Sequence, residues 1–332
     1  MSSHGIMFAV ASPGGVDPMA MDKAVRLALA LDAELELFHC VFDVDVAHPG
    51  RFATRGAQED IHEFVEQRRQ QLEYDAERLR SRGVRVRTSV RWDYPIYEGI
   101  VRQVLRHKPS LLIAQSTRKG HAARLLLTQT DYKLIETCPC PLLLIKTQRP
   151  YANPCVIAAL DPEHSRDKPA ALDDAILDSA SIVSDALSGN LLVFHARTPW
   201  EYALRRSHGL QRLPEAVEND MYTEYCARIG DQVATLAKRH DLPEGSVYIR
   251  EADAAEALPS IADEKSADII TMGAVSRSRA GRVLIGHTAE RVLDALDCDV
   301  LIAKPPGFRS PVSRQSAHRV ERSAASRTRH IW

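Results

Sequence analysis

Residues 271–304, TMGAVSRSRAGRVLIGHTAERVLDALDCDVLIAK, decide how the rest of the chain is read. An apolar strand, Asp268–Met272, runs into a loop rich in Gly, Ser and Arg that ends at Gly286. A helix opens near His287 and Thr288, and a second apolar strand follows at Val300–Ala303. Strand, small-residue loop and helix N-terminus together make an anion cradle. Glycines let backbone N–H groups approach a phosphate, and the first helical turn presents unpaired donors with a partial positive charge.

Working outward, strands and helices alternate along the whole chain. In the first half, apolar runs at Ile6–Ala11, Leu35–Val41, Val84–Val90, Leu111–Ala114 and Leu142–Lys146 predict strands. Helices are predicted from Asp17-Pro18, an N-cap followed by a first-turn proline, and over Gln58–Arg80, Ile96–His107 and Asp131–Thr137. The order then repeats. Strands at Val156–Leu160, Leu191–His195, Ser246–Arg250, Asp268–Met272 and Val300–Ala303 alternate with helices at Ala170–Leu187, Pro214–His240, Ala254–Asp263 and Thr288–Leu296. Leu37-Phe38-His39-Cys40 matches Val193-Phe194-His195-Ala196, and Thr130, Cys140 and Lys146 match Thr288, Cys298 and Lys304 at one offset (288 − 130 = 158). A repeat of ~150 residues is a duplicated domain rather than a solenoid unit. Short continuous apolar strands alternating with helices predict, for each half, a five-stranded, doubly wound parallel sheet with a ligand crevice at the carboxyl ends of its strands. The expected domains are residues 1–150, 151–306 and a basic tail over 307–332, with Tyr151–Cys155 as the linker between the first two.

Composition sets the class. At 332 residues, 45% hydrophobic and 26% charged, the chain reads as a soluble globular protein of two domains. A formal net charge of −1 supplies no global field for nucleic acid or anionic lipid. From Arg309 to Trp332, however, six Arg against one Glu give a local +5, leaving −6 on the remainder. The tail is expected to be disordered. It lacks the interleaved aromatic residues that stack on bases, so nucleic acid is not an expected partner. The six cysteines (40, 138, 140, 155, 226 and 298) do not form a disulfide framework, and Cys138-Pro139-Cys140 lacks zinc-ligand spacing. Reduced thiols suit a reducing cytosol. No basic n-region precedes the short apolar run at Ile6–Ala11, and no segment approaches the ~20 apolar residues that span a bilayer. The expected location is cytoplasmic.

The spacing Gly273, two residues, Ser276, nine residues, then Gly286-His287 resembles the nucleotide loop of universal stress proteins, which carry Gly where Ser276 stands and Ser or Thr where His287 stands. Thr130-Asp131-Tyr132-Lys133-Leu134-Ile135-Glu136-Thr137-Cys138-Pro139-Cys140-Pro141 and Gly286-His287-Thr288-Ala289-Glu290-Arg291-Val292 repeat the family's pattern. Over about residues 5–305 the chain is similar to two-domain, E-type members. That resemblance implies a Rossmann-like, adenine-nucleotide-hydrolase-like fold and a non-enzymatic role in stress survival, DNA damage included. It also implies candidate sites. In nucleotide-binding members an Asp ending the first strand contacts the adenosine, a residue ending the second lines the base, and the glycine loop holds ribose and phosphates. Carried onto the second half, these are Asp161, Ala196, Gly273, Ser276, Gly286 and His287, with Thr288 next along, and the implied ligand is ATP or another adenine nucleotide.

At each position a plainer role stands beside the functional one. Asp161 either holds the ribose or turns the chain before Pro162. Ser276 either strains a loop that needs positive φ, at roughly 1 kcal/mol or more, or donates its hydroxyl to a phosphate. His287 either donates to a phosphate or caps the helix. In the first half, Ala11 replaces Asp161, while Gln115, Arg118, Thr128 and Gln129 replace Gly273, Ser276, Gly286 and His287, so that copy is read as dead for ATP. His39 and His195 read as hydrogen-bonded histidines near the crevices. No metal set and no catalytic residue is singled out, since Gly-x-Ser-x-Gly, His-Glu-x-x-His and a complete P-loop are all missing. An enzyme of the wider fold group rests on fold analogy alone. Family members pair through their last strands, which implies either an intramolecular pseudo-dimer through Leu142–Lys146 and Val300–Ala303 or a homodimer. No membrane partner is expected.

Overall fold

The structure is a computed structural model that describes residues 5–10, 16–47, 57–116, 127–164, 171–208, 214–277 and 283–315. It divides into two compact units, Met1–Pro150 with Phe308–Trp332, and Tyr151–Gly307.

The first unit runs β1 (Gly5–Val10), α1 (Pro18–Ala30), β2 (Glu34–Val41), α2 (Val44–Ala47), α3 (Ala57–Arg80), β3 (Val86–Trp92), α4 (Ile96–His107), β4 (Leu111–Gln115), α5 (Gln129–Thr137) and β5 (Leu142–Ile145). Its strands lie in the order β3-β2-β1-β4-β5, and every pairing among them is parallel. The chain starts in the middle, fills one side, then returns to fill the other. Because parallel crossovers are right-handed, such a reversal places helices on both faces of the sheet. Ile6–Val10, Leu111–Ala114 and Leu142–Ile145 are accordingly buried along their whole length. Asp17 caps α1, its carboxylate accepting from the N–H groups of Met19 (2.9 Å) and Ala20 (3.0 Å), and Pro18 follows where no N–H is needed.

Close packing of α4 depends on Gly99, where a Cβ would run into Cys40 Sγ and Asp93 Cβ. One turn on, Arg102 is 2% exposed. Its guanidinium pairs with Asp93 at 2.7 Å and with Glu98, and its Nε donates to the Ser313 carbonyl at 3.2 Å. The tail therefore begins as part of the first unit. The expectation of a disordered tail from residue 307 does not hold for Phe308–Gln315, where a buried guanidinium uses a tail carbonyl as an acceptor. Residues 316–332 lie outside the described residues.

The second unit repeats the plan: β6 (Cys155–Leu160), α6 (Leu172–Ala186), β7 (Asn190–Arg197), α7 (Trp200–His208), α8 (Glu215–Arg239), β8 (Val247–Glu251), α9 (Ala254–Glu264), β9 (Ile269–Met272), β10 (Val275–Arg277), β11 (Val283–Ile285), α10 (His287–Ala295) and β12 (Asp299–Ile302). Its sheet order is β12-β9-β6-β7-β8, again parallel throughout. Tyr151, expected in a linker, is 1% exposed, and its hydroxyl donates to Asp299 at 2.7 Å at the start of β12. The segment expected to be a plain Gly/Ser/Arg loop folds back as the antiparallel hairpin β10–β11, because Val275 and Val283–Ile285 supply β-branched residues on both arms. The helices α2 and α7 were not foreseen, both being short and without a long apolar stripe.

Replacing Arg102 by Met should destabilise the full chain by about 3–5 kcal/mol, because it leaves the Asp93 carboxylate buried beside an apolar side chain. Urea unfolding followed by tryptophan fluorescence measures this. A loss below about 1 kcal/mol would mean that Asp93 is adequately solvated without its partner.

Candidate functional site

The second unit reverses its strand order between β6 and β9, and the carboxyl ends of those strands form the crevice at which doubly wound sheets take ligands. Asp161 leaves β6 there, half-buried, and Gly273 leaves β9. The first turn of α6 ties the two together. Asp173 accepts from the Asp161 N–H at 3.2 Å, and Leu172 lies so close over Gly273 that a Cβ there would come within 2.7 Å of its Cδ2. A side chain at 273 would therefore displace Leu172, whatever else approaches it. The Gly286 N–H donates to the Ala274 carbonyl at 3.2 Å, which brings the start of α10 to the same edge. His287 and Thr288 are exposed on its first turn. Ser276 sits in β10 opposite Leu284. Ala196 is half-buried in β7, one residue past His195, which lies in register with Leu160.

The two units differ most at the helix that opens this edge. In the first, Thr128 and Asp131 form a reciprocal capping box at α5. The Asp131 carboxylate accepts from the Thr128 N–H (2.7 Å), the Thr128 hydroxyl (2.9 Å) and the Ser116 hydroxyl (3.0 Å), while Thr128 Oγ1 accepts from the Asp131 N–H (3.2 Å). Burial pushes the Asp131 carboxyl up, and these donors only partly oppose it. The Thr128 hydroxyl thus accepts from the Asp131 N–H of the first turn, and the Asp131 carboxylate lies against the N-cap. At the constant offset, Gly286, Ala289 and Ala274 stand where Thr128, Asp131 and Ser116 stand. The N-terminus of α10 has no side-chain cap. Nearby, Gln115 accepts from the Asp17 N–H at 3.1 Å. Ala11 and Arg118 lie outside the described residues.

A cluster that sequence reasoning missed closes the β6–β7 side of the crevice. Both nitrogens of His195, 1% exposed, face acceptors: Nδ1 the Leu160 carbonyl at 3.0 Å and Nε2 the Glu163 carboxylate at 3.1 Å. The ring is thus held between two acceptors, one from the backbone and one a carboxylate. Glu163 also accepts from the Thr198 N–H (2.8 Å) and the Tyr225 hydroxyl (2.5 Å). Burial alone would raise the Glu163 carboxyl, but donation from His195, Tyr225 and Thr198 outweighs it and holds the group at about 2. In His39, the copy in the first unit, burial first, then Arg68, lowers the imidazole to about 4, so it is neutral. A signal for Tyr225 was present. It extends the buried stripe Ile229, Val233, Leu236 of α8 by one turn, and a tyrosine at the end of a core stripe aims its hydroxyl past the core. Farther along the edge, Arg197 pairs with Glu251 at 2.9 Å beneath Trp200 and Tyr222. A shallow groove of about 460 Å³ at the carboxyl end of β8, lined by Arg250, Glu251, Ala252, Glu256, Ala257 and Ser260, includes none of the predicted site residues.

Comparison with known proteins now decides the family, because the universal stress protein family model matches residues 6–146 and again 156–304. The chain belongs to the universal stress protein family. It is a tandem member, one family domain per unit. It is 22% identical over 318 residues to universal stress protein E of Photorhabdus laumondii, covering 94% of this chain and 98% of that one. In fold it is similar to a putative universal stress protein of Pseudomonas aeruginosa (TM-score 0.64, 24% identity, 92% and 94% of the two chains). It is also similar to a universal stress protein of Archaeoglobus fulgidus (TM-score 0.60, 14% identity, 90% and 98%). Family membership supports a role in the stress response. Among the described residues, no helix is long and apolar enough to cross a membrane.

Glu163→Gln should cost about 1–3 kcal/mol of stability near neutral pH by removing the charge that His195 and Tyr225 bond. Because the folded-state pKa is depressed, this contribution is present above the ordinary value of 4.5 and disappears as pH falls from there toward 2. Thermal unfolding of both proteins across that window checks it. A difference that persists undiminished at pH 2 would mean that the carboxylate charge is not what matters.

Proposed function

We propose that this chain serves survival under stress, resistance to DNA damage included, by binding rather than by turnover, and from the cytoplasm. The observation that carries this reading is the family match on both units. The test is survival of cells lacking the gene after exposure to a DNA-damaging agent. Deletion should lower survival and the intact gene should restore it. Equal survival with and without the gene would reject the DNA-damage part of this reading.

A second reading, binding of ATP or another adenine nucleotide by the second unit alone, has one specific observation in its favour. The helix start that Thr128 and Asp131 cap in the first unit is left uncapped by side chains in the second, where Gly286 and Ala289 stand at the matching positions. Donors of a first helical turn that lack an internal partner favour an anion, and the phosphate of a nucleotide is one. In this reading Asp161 bonds the ribose, Ala196 borders the base, and the loop from Gly273 through Ser276 to Gly286, His287 and Thr288 holds the phosphates. Calorimetric titration of ATP into the full chain should give saturable micromolar binding at one site per chain. Asp161→Ala should weaken it at least ~10-fold, a loss of about 1.4 kcal/mol. The double change Gly286→Thr with Ala289→Asp, which transplants the capping box of the first unit, should abolish it. No heat at millimolar ATP, or two equal sites per chain, would reject this reading.

A further inference from the structure

The first unit holds a pair of thiols that its counterpart lacks. Cys138 and Cys140 place their sulfurs 3.6 Å apart. None of the chain's six cysteines is in a disulfide. The short segment that carries the pair is pinned at both ends by backbone hydrogen bonds. The Cys138 N–H donates to the Leu134 carbonyl at 2.9 Å as the last turn of α5, and the Pro141 carbonyl accepts from the Leu112 N–H at 2.9 Å at the sheet. Pro139, between the two cysteines, has its own φ fixed by its ring. The two side chains are thus held facing one another instead of being brought together by chance. In the second unit the matching residues are Leu296, Asp297 and Cys298, with one thiol.

We propose that Cys138 and Cys140 are a reversible dithiol–disulfide site that responds to hydroperoxides. The roles follow from position. Cys140 is half-buried and reachable, whereas Cys138 is 0% exposed and directly follows α5, whose last carbonyls carry partial negative charge and disfavour a thiolate there. Cys140 therefore attacks the peroxide. Its sulfur takes the terminal oxygen of ROOH, the O–O bond breaks, and Cys140 sulfenic acid and ROH form. Cys138 sulfur then attacks that sulfenic sulfur, the S–O bond breaks, and the hydroxyl leaves with the Cys138 proton as water. In sum two thiols and ROOH give a disulfide, ROH and H₂O, with the thiols oxidised and the peroxide reduced. A neighbouring thiol that captures the sulfenic acid is what keeps such a cysteine from irreversible oxidation. Closing the bond needs the sulfurs to approach from 3.6 Å to about 2.05 Å, a rotation of the two side chains with the pinned backbone left in place. Cys40 and Cys155 are poor competitors: burial, then Asp93, pushes Cys40 up, and burial, then Asp268, pushes Cys155 up.

The experiment uses the intact native chain, treated with hydrogen peroxide, unfolded in the presence of an alkylating agent and digested with trypsin. Cleavage after Lys133 and Lys146 isolates both cysteines on one peptide, 134–146. That peptide should lose both alkylatable thiols together and become lighter by two hydrogens, while those carrying Cys40 and Cys155 stay alkylated. Dithiothreitol should restore both thiols. In Cys138→Ser, which removes the capturing thiol, dimedone should label Cys140. Two results would each overturn the proposal: a wild-type peptide that keeps both thiols while Cys40 or Cys155 is oxidised, or one that takes up oxygen without cross-linking.

Discussion

The first turn of a helix cannot bond its own N–H groups, and what satisfies them at the carboxyl edge of each sheet sets the chemistry of each unit. In the first unit the answer is internal. The Thr128 hydroxyl accepts from the Asp131 N–H, and the Asp131 carboxylate reaches back to Thr128 and Ser116. In the second, Gly286 and Ala289 offer no side chain that can do this. The two sheets share order and direction, so the contrast comes from a few side chains on one architecture and not from a difference in fold.

A second constraint acts beside the first. Glu163 leaves the end of β6 and bonds three partners drawn from β7, the turn after it, and α8. Burying a carboxylate costs several kcal/mol unless its lone pairs are bonded, and here His195, Thr198 and Tyr225 all face the Glu163 carboxylate. The cluster therefore locks the turn that carries Asp161. The Asp161 N–H is fixed separately by Asp173. Its backbone is thus positioned before any ligand arrives, and an ordered backbone costs a ligand less to engage.

The fold was legible because its signals are dense. Runs such as Leu142–Ile145 and Ile269–Met272 are buried in full, and continuous apolar strands between helices allow little but a parallel sheet covered on both faces. The offset of 158 then fixed the duplication from residues such as Thr130 and Thr288. The site was legible only in outline. Asp161, Gly273 and Gly286 stand at strand ends and a helix start because motif spacing encodes those places. His195 was legible as a hydrogen-bonded histidine, but its pairing with Glu163 was not, nor was that of Tyr225, which lies 62 residues away and meets Glu163 only through the folded path of α8. Tail residues were misread for the same reason: the Ser313 carbonyl meets Arg102 across 211 positions, and no local pattern announces such a contact.

Duplication explains why the two units can differ at these positions. When a single chain carries two copies, the core positions of both remain necessary, since each sheet must still be covered on both faces. The crevice residues are under no such demand. Asp131 stabilises α5 with a capping box that an open anion site would have to forgo, a gain of about 0.5–2 kcal/mol at such positions. Ala289 forgoes that gain. Asp17, Thr128 and Asp253 serve as N-caps of α1, α5 and α9, whereas α4, α6, α8 and α10 all start without a side-chain cap. The thiol pair in the first unit follows the same logic, because Cys138 and Cys140 lie outside the crevice, in a turn that Leu296, Asp297 and Cys298 build equally well. Each copy thus departs from the other where the core does not constrain it.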